Sequence, residues 1–524
     1  MKRASFCVGA LAVVFPACAP SPPVLHVPGP TTSHPEASAP TNTDAPPPSV
    51  TTVARRDPTS HVVAFRVAFT SGSADDPPGK EGLTRLVATT MTQGGTTART
   101  YAELVEKLYP MAASVDVHVD RDETVFFAEV ATDALGTFYP LFKEVLLTPR
   151  LDDPGFERMR TRATSELTDE LLGASDEALG KEALAAALYE AHPYGHPPVG
   201  TERGLQAATA EDVRSHRTRV FCRDRALLGI EGGFPEGFDT TFTRDFAALP
   251  PCPAVRAELP DPIVPHNLRV LVVDKPSADS TAISIGSPSD VTRKSPDFPA
   301  VEFFTDYLGL HRQSAGRLYH ELRERRGFNY GDYAYAEYFE QDGGSRFALP
   351  NLVRRQEMLS IWLRPVRPKN AIFALRGALY LYAQTVDRGV PQAEIERFRS
   401  FLSRYTSLEE LTQSRRLGHA MDDALYGARR PYLDGLRDAW TGLNEASLKA
   451  TVARHLAGKS FQIAIVTKNG AALAEELVTG APTLPSYDTP KPRDVLDEDK
   501  EIARYPLGLR KEQVRVVKFT DLFK

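Results

Sequence analysis

The sequence predicts an α+β fold in which a unit built from a sheet and packed helices occurs twice. Two segments of similar length each begin with a strand-like run rich in β-branched residues, residues 62–70 in the first and residues 269–274 and 281–286 in the second. Apolar residues then recur at spacings of three and four in residues 176–190 and 392–404, which is typical of amphipathic helices. No Gly-rich phosphate loop connects a strand to a helix, so the pattern does not favour a dinucleotide-binding fold.

Length and composition limit the class of protein. The 524 residues allow about three ordinary domains or two large ones. Hydrophobic residues make up 42% of the chain and charged residues 25%, so most of the chain is globular rather than disordered or fibrous. The formal net charge of −6 argues against a nucleic-acid-binding protein, which would carry a basic surface. We therefore expect no nucleic acid among the partners.

The first 18 residues have the pattern of an export signal. Two basic residues precede an apolar stretch, residues 8–15, that is too short to span a bilayer as a helix. Residues 15–18 resemble a bacterial lipoprotein signal, in which Cys18 is lipidated and becomes the first residue of the mature chain. Cleavage near residues 17–19 without a lipid is the alternative. We expect an exported protein that is periplasmic or attached to a membrane by a lipid anchor.

The remaining chain divides into four segments. Residues 19–48 are rich in Pro, Ser, Thr and Ala and have few large apolar side chains, which predicts a tether rather than a folded segment. An amino-terminal unit is expected over residues 49–258 and a carboxy-terminal unit over residues 259–485. Residues 486–524 form a charged tail whose strand-like end is expected to add an edge strand.

Two cysteines remain in the part of the chain that is expected to fold. Cys222 and Cys252 are 30 residues apart and lack the Cys-x-x-Cys spacing of a metal or redox site. In an oxidising compartment they can form a disulfide, which would contribute about 3–4 kcal/mol to stability in the loop-entropy model. Two separate buried thiols are the alternative.

The most informative stretch is residues 71–96, SGSADDPPGKEGLTRLVATTMTQGGT. A helix is predicted from Gly82, with its apolar residues near one face and a Gly-Gly pair at its end. The stretch resembles the amino-terminal unit of the insulinase and pitrilysin family of zinc metallopeptidases, whose helix carries an inverted His-x-x-Glu-His motif. The resemblance places that motif at Arg85, Ala88 and Thr89, so all three family residues are absent.

The substitutions remove the chemistry of that motif. In the family, two His side chains one helical turn apart hold zinc and the Glu takes a proton from the bound water. Arg85 stays protonated, Ala88 has no proton acceptor, and Thr89 offers only a neutral hydroxyl. The family's third ligand falls at Glu166, which we interpret together with Glu170 as part of a solvated helix face. We therefore expect no zinc and no other cofactor on this chain.

Other histidines do not complete a metal site. His192 and His196 are four residues apart, but the prolines around them exclude a helix, and the phrase resembles a structural loop of the family. His320 and Glu321 begin a His-Glu-x-x-His pattern whose second His is missing. We therefore predict that no complete catalytic group lies on this chain.

The second unit carries a stronger indication of function. Residues 308–330, LGLHRQSAGRLYHELRERRGFNY, resemble the family's carboxy-terminal unit, in which an Arg and a Tyr matching Arg323 and Tyr330 point toward the bound peptide. A fixed guanidinium and a phenol hydroxyl can polarise the scissile carbonyl and stabilise its oxyanion. The alternative is that Arg323 forms a surface salt bridge and Tyr330 anchors a strand. In the strand that follows, Ala334 and Ala336 are expected to leave room for a peptide.

The resemblance covers residues 49–485 and implies a pair of α+β units with antiparallel-rich sheets that form half of a clamshell. In two-chain members of the family, one chain keeps zinc while its partner lacks the ligands. We therefore expect a zinc-free, non-catalytic subunit that pairs with a zinc-bearing homologue as a heterodimer and cleaves peptides only in that complex. The alternative is a peptide-binding or structural scaffold with no proteolytic role. A third hypothesis is an autonomous peptidase with a relocated metal site.

Overall fold

The computed structural model describes residues 50–524. The predicted export signal with Cys18 and the predicted tether, residues 19–48, lie outside the described residues. None of the helices in the described range combines the length and the apolar character that a membrane span requires.

The first sheet is formed by strands from the amino-terminal unit. Its members are β1 (Thr51–Arg56), β2 (Val62–Phe69), β3 (Asp116–Val119), β4 (Thr124–Ala131) and β5 (Ala226–Gly232). The strand order is β1-β5-β2-β4-β3. β1 runs parallel to β5, and the other neighbours are antiparallel. Strand β5, which comes last in the sequence of this unit, therefore lies inside the sheet.

The second sheet repeats this arrangement. Its members are β6 (Arg269–Asp274), β7 (Thr281–Ser289), β8 (Gly331–Tyr335), β9 (Glu357–Val366), β10 (Gln462–Thr467) and β11 (Val514–Lys518). The order is β11-β6-β10-β7-β9-β8, and β11 and β10 both run parallel to β6. With β11 set aside, every strand has a counterpart of the same position and direction in the first sheet. The predicted fold class, two similar α+β units, is confirmed.

Helices account for most of the chain between the strands. In the first unit they are α1 (Leu83–Gln93), α2 (Tyr101–Leu108), α3 (Leu135–Leu147), α4 (Asp153–Ser165), α5 (Asp176–Leu188), α6 (Glu202–Ala207), α7 (Ala210–Val220) and α8 (Phe238–Phe246). After β7 they are α9 (Phe298–Gly309), α10 (Ala371–Arg388), α11 (Gln392–Tyr405), α12 (Gln413–Tyr426), α13 (Tyr432–Thr441), α14 (Glu445–His455), α15 (Gly470–Thr479) and α16 (Arg493–Ala503). Two segments are π-helical, Glu166–Ala174 and Tyr319–Glu324. The first begins at Glu166 and the second contains Arg323, two of the site residues predicted from the sequence.

Each unit packs one helix on the sheet of the other unit. Helix α5 of the first unit lies on β7 and β10, and α12 of the second unit lies on β2 and β5. Strand β2 is therefore covered on both faces: Phe65 belongs to the main core of its own unit, whereas Ala68 packs with Leu417 and Met421 of α12. Because of this exchange, the described residues form one compact body.

Strand β1 was not predicted from the sequence. It precedes the first predicted strand, and most of its side chains are exposed or half-buried, so the segment lacks apolar alternation. Its place depends on parallel pairing with β5, which comes much later in the chain. A pairing of this kind leaves no local pattern for the sequence to reveal.

The expected opening beside Ala334 and Ala336 is absent from the described structure. The two side chains are 1% and 2% exposed and belong to the hydrophobic core of the second unit. Helix α9 packs against β8 and closes that face. The expectation that these alanines leave room for a peptide is wrong, because their small size serves close packing of helix on strand.

Candidate functional site

Helix α1 carries the positions of the expected metal motif. Gly82 precedes it with a φ of 102°, a left-handed conformation that favours glycine. A Cβ atom at this position would lie 2.7 Å from the carbonyl oxygen of Val199, so the start of the helix packs directly on that loop. The close contact fixes where α1 begins.

Arg85 and Glu166 form an ion pair across 81 residues of sequence. The Nη2 atom of Arg85 donates to Oε1 of Glu166 at 2.5 Å, and the two side chains are 25% and 31% exposed. Glu166 is half-buried, and Arg85 offers its carboxylate a cation, a partner that the sequence did not predict. Glu170 is exposed.

Ala88 and Thr89 supply no metal ligand. Ala88 is fully buried in the core, and the Thr89 hydroxyl donates to the carbonyl oxygen of Arg85 at 2.8 Å. Within residues 50–524, no three or more His, Cys, Asp or Glu side chains are grouped so that they could hold a metal ion. The residues at these positions do not fit zinc: a guanidinium neutralises the one carboxylate that remains.

A buried polar cluster supports the start of α1. Asp76 accepts hydrogen bonds from the backbone nitrogens of Gly82 and Thr84, both at 2.7 Å, and from the Thr84 hydroxyl at 2.6 Å. His216 Nε2 lies 2.8 Å from that hydroxyl. Burial raises the pKa of Asp76 to about 7 and lowers the pKa of His216 to about 4. This cluster was not predicted from the sequence, because His216 lies 132 residues away from Thr84 in the chain.

The structure brings Arg323 and Tyr330 together at the edge of the second sheet. Arg323 lies in the π-helical segment Tyr319–Glu324, and Tyr330 immediately precedes β8. Nη1 of Arg323 donates to the backbone carbonyl oxygen of Tyr330 at 2.8 Å, and its guanidinium carbon lies 5.3 Å from the centre of the Tyr330 ring. The same carbon lies 4.5 Å from the centre of the Tyr319 ring. The partners of Arg323 are thus a carbonyl and two rings rather than a carboxylate.

An open cleft of about 540 Å³ adjoins this pair. It is lined by Arg312, Arg323, Tyr330 and Arg364, and by Glu177 of α5 from the first unit. The Arg364 guanidinium pairs with Glu177, whereas Tyr330 is 74% exposed. The cleft therefore presents guanidinium groups and a phenol ring to solvent, an arrangement that can bind a carbonyl oxygen or a carboxylate.

Asp332 does not neutralise this positive charge at neutral pH. The residue is fully buried in β8, with Oδ1 accepting from the Asn329 amide and Oδ2 without a hydrogen-bond partner among residues 50–524. Burial raises the pKa of Asp332 to about 8. Its carboxyl therefore keeps a proton at pH 7. The sequence showed only a polar residue next to a glycine and gave no sign of this burial.

The remaining histidine candidates have other roles. His192 Nδ1 accepts from the backbone nitrogen of Tyr194 at 3.0 Å, which stabilises the loop. Burial lowers the pKa of both His192 and His196 and keeps them neutral. His320 lies 2.9 Å from Glu324 on an exposed surface. These contacts give the histidines loop and surface roles.

The turn between β3 and β4, residues 120–123, carries four consecutive buried charged side chains. Both Asp120 oxygens accept from the Arg354 guanidinium at 2.6 Å, and Asp122 accepts from Arg355 at 2.8 Å and from Arg256 at 2.6 Å. Burial alone would raise the pKa of Asp120, but the Arg354 guanidinium holds it below its ordinary value. This network ties the first sheet to the loop between β8 and β9.

Cys222 and Cys252 form a disulfide. Their sulfur atoms are 2.00 Å apart, and their Cα atoms are 5.0 Å apart. The bond links the chain just after α7 to the segment that leads into the second unit. Of the two alternatives left open by the sequence, the structure therefore contains the cross-linked one.

Strand β3 lies at the outer end of the first sheet, beside α1. Asp116 on this strand is exposed, and Val117 and His118 are half-buried. The Nε2 atom of His118 lies 3.5 Å from Oε2 of Glu340 in the loop between β8 and β9. Among the described strands, only β4 pairs with β3, so the other main-chain edge of β3 has no strand beside it.

Residues 51–202 match the family described as Insulinase (Peptidase family M16). A similar curated protein is "Uncharacterized zinc protease YmxG" of Bacillus subtilis. It is 18% identical over 299 residues, which cover 56% of this chain and 69% of that protein. The family match over residues 51–202 includes β1 to β4 and α1 to α5, so it contains the helix of Arg85.

Solved structures share the fold over most of the chain. The inactive domain of a peptidase M16 from Pseudomonas fluorescens has a TM-score of 0.69 at 19% identity, covering 80% of this chain and 95% of that one. A chain of complex III2 from Candida albicans, in a structure with Inz-5 bound, has a TM-score of 0.63 at 11% identity, covering 87% and 97%. At these identities the similarity concerns the fold alone.

Proposed function

Residues 51–202 form a domain of the insulinase family, peptidase family M16, and on this premise we propose that the chain is the zinc-free subunit of an exported metallopeptidase. It would pair with a zinc-bearing homologue, which supplies the metal that activates water. This chain would contribute Arg323 and Tyr330 to the binding and cleavage of peptide.

The observation that carries the proposal is the ion pair between Arg85 and Glu166. A guanidinium stands where the family has its first zinc ligand and bonds at 2.5 Å to the carboxylate at the third ligand position. The cation satisfies Glu166 electrostatically and would repel a divalent metal. This supports a chain that keeps the architecture of the site while relying on a partner for zinc.

The cleft beside β8 supports a role in binding peptide. The Arg323 guanidinium is held in place by the Tyr330 carbonyl and by the Tyr319 ring, so little further ordering is needed when it meets a substrate carbonyl. The exposed Tyr330 hydroxyl can donate to the same oxygen. Donors held ready in this way stabilise the oxyanion that develops as the peptide bond breaks.

The free edge of β3 supports main-chain recognition of the peptide. An extended peptide can add to an unpaired strand edge and form backbone hydrogen bonds without regard to its sequence. Because β3 packs beside α1, a peptide on this edge would lie near Arg85. Export and lipidation at Cys18 remain part of the proposal and follow from the amino-terminal sequence alone.

Peptide turnover by the mixed subunits tests the proposal. The full chain, mixed with the zinc-bearing homologue, should permit turnover that neither protein shows alone. Arg323→Ala should lower kcat/KM about tenfold or more, about 1.4 kcal/mol in the barrier, because it removes a donor to the oxyanion. Tyr330→Phe should lower kcat while keeping the ring contact.

Arg493→Ala is the matched control for the charge change. Arg493 lies on α16 with its side chain 95% exposed and is not part of the cleft, so its removal should leave turnover unchanged. Equal turnover in wild type and Arg323→Ala would contradict the role of Arg323. Turnover by the chain alone, with one zinc bound per molecule, would contradict the whole assignment.

The positions of the lost ligands can be tested separately. Arg85→His combined with Thr89→His provides two imidazoles one helical turn apart, with Glu166 released from its ion pair, and leaves the buried Ala88 unchanged. We expect this variant to bind one zinc per chain, whereas Arg85→His alone binds zinc weakly or not at all. The absence of zinc in the folded double variant would show that Glu166 is not placed as a third ligand.

A structural scaffold is the second candidate. The fold shared with a chain of complex III2 is the observation that favours it. A scaffold predicts that the chain binds a homologous subunit while Arg323→Ala and Tyr330→Phe have no effect on peptide turnover. The mixing experiment therefore separates the two functions.

A further inference from the structure

A second cavity, of about 90 Å³, lies inside the carboxy-terminal unit. Its walls come from α9, the loop between β8 and β9, and helices α11 to α13. We call it the α9 cavity. It shares no lining residue with the cleft at Arg323, so it forms no part of the proposed peptide site.

Three carboxyl groups with few basic partners line the α9 cavity. Glu302 and Asp306 lie one helical turn apart on α9, and Glu409 follows α11. Within residues 50–524, neither Glu302 nor Asp306 has a basic side chain within 4.0 Å, and Glu409 has only Arg415 at that distance. Burial, and then repulsion from neighbouring carboxyls, raises the pKa of Glu302 and Asp306 well above ordinary values.

The basic residues that line the α9 cavity do not cancel this charge. The Arg293 guanidinium is bound by Glu337, with contacts of 2.6 to 3.1 Å, lies 3.6 Å from Asp422, and stands 4.0 Å from the centre of the Tyr432 ring. Its Nη1 atom has no hydrogen-bond partner among residues 50–524. Arg346 is exposed in the loop between β8 and β9. The interior of the cavity therefore has more acidic groups than basic partners for them.

Two further polar side chains in the wall lack partners. The Tyr405 hydroxyl and both ring nitrogens of His419 make no hydrogen bond with any residue in the described range. Each side chain belongs to a residue that is only 7% exposed. A buried polar atom without a partner costs about 1–3 kcal/mol, so a bound ligand or an ordered water is expected beside these groups.

The rest of the wall is aromatic, and the chemistry of the whole wall restricts the ligand. Tyr335, Phe347, Tyr432 and Trp440 line the cavity. The acidic side chains do not converge as the ligands of a metal ion would, since residues 50–524 contain no such group of three. Carboxylates combined with aromatic faces suit a planar or alkylated organic cation.

We propose that the α9 cavity binds the head group of a small organic cation, a guanidinium or an alkylammonium. Glu302 and Asp306 bind the cation, and Tyr405 accepts one of its N–H groups. The rings of Tyr335 and Trp440 cover its faces, because Arg293 and Arg415 of this chain already lie over Tyr432 and Phe347. A volume of about 90 Å³ has room for such a head group. The site goes beyond the proposed peptidase role and does not depend on it.

Calorimetric titration of the full chain with methylguanidinium and methylammonium tests this proposal. At least one of the two cations should bind saturably with one site per chain, and the neutral isostere N-methylurea should not bind. Glu302→Gln combined with Asp306→Asn should weaken the Kd about tenfold or more, about 1.4 kcal/mol. Because Gln and Asn are neutral like the protonated carboxyls they replace, the variant should unfold at no lower temperature than wild type.

The control is Glu475→Gln combined with Glu476→Gln, which removes two exposed acidic charges from α15 in the same unit and should leave binding unchanged. If the double variant at Glu302 and Asp306 fails to fold, Tyr405→Phe replaces it, with binding again expected to weaken. Absence of saturable cation binding, equal binding of N-methylurea, or equal affinity in the cavity and control variants would overturn the proposal.

A short peptide amide with one arginine then identifies the source of the cation. Binding of the peptide with an affinity like that of methylguanidinium would assign the site to basic side chains of polypeptides. Binding of the free cations without the peptide would assign it to small metabolite amines. Both results support a cation site.

Discussion

Two Arg–carboxylate pairs join distant parts of this chain and differ in their contact with solvent. In the pair of Arg354 with Asp120, the side chains are 5% and 2% exposed. In the pair of Arg85 with Glu166, they are 25% and 31% exposed. The first connects the loop before β9 to the turn after β3, and the second connects α1 to the π-helical segment after α4.

The difference in burial gives the two pairs different consequences. Removing one partner of the buried pair leaves a charge without solvent or counterion, which is costly. The half-buried pair of Arg85 with Glu166 remains in contact with water, and each charge can be hydrated when the pair is broken. The pair therefore contributes little to stability. We therefore expect Arg85 to matter mainly because it would exclude a metal ion, since its contribution to the free energy of unfolding is small.

The buried pair should give the largest effect. Asp120→Asn should lower the free energy of unfolding by about 3–5 kcal/mol, because the Arg354 guanidinium keeps its charge in a buried site. Urea unfolding followed by circular dichroism measures the change. Asp116→Asn, on the exposed part of β3, is the control and should change stability little. A loss below about 1 kcal/mol for Asp120→Asn would mean that water reaches the turn.

The disulfide provides a link between distant segments that does not depend on charge. Replacing Cys222 and Cys252 together by Ser should lower the free energy of unfolding by about 3 kcal/mol, since the unfolded chain regains the entropy of a 30-residue loop. The same measurement at low and high salt should give the same loss. A strong salt dependence would show that the bond acts through the charges around it.

Asp332 differs from Asp120 because, among residues 50–524, no basic side chain lies within 4.0 Å of its buried carboxyl. Its pKa of about 8 in the folded protein lies above the ordinary value of 3.8, so the folded state binds the proton more tightly than the unfolded state does. The stability that this group contributes is complete below pH 3.8 and is lost progressively as the pH rises through 8.

Asp332→Asn should remove that pH dependence. Relative to wild type, the variant should gain about 1–3 kcal/mol between pH 4 and pH 8, because its amide cannot ionise. Unfolding measured across this range for both proteins gives the difference directly. A constant difference at all pH values would mean that Asp332 ionises normally.

The half-buried pair of Arg85 with Glu166 should give the smallest effect. Arg85→Ala should change the free energy of unfolding by about 0–1 kcal/mol, and the change should shrink as salt is added. A double-mutant cycle with Glu166→Ala isolates the interaction between the two side chains. A coupling as large as the effect of Asp120→Asn would remove the distinction drawn between the two pairs.

Local patterns in the sequence determined the elements that carry the candidate site. The β-branched runs predicted β2, β6 and β7, and the apolar spacing with flanking glycines predicted α1. The absence of metal ligands at Arg85, Ala88 and Thr89 was also visible, because an i, i+3, i+4 spacing on one helix needs no knowledge of the rest of the fold. These features depend on neighbours within a few residues.

Only the tertiary structure decided which charges are buried and what they contact. The sequence could not show that Glu166 meets Arg85, that Asp120 meets Arg354, or that α12 covers β2. A run of charges next to a strand has the same local pattern whether it faces water or another unit. Burial of a charge depends on a counterion supplied by a segment far away in the chain, and that pairing exists only after the two units have packed together.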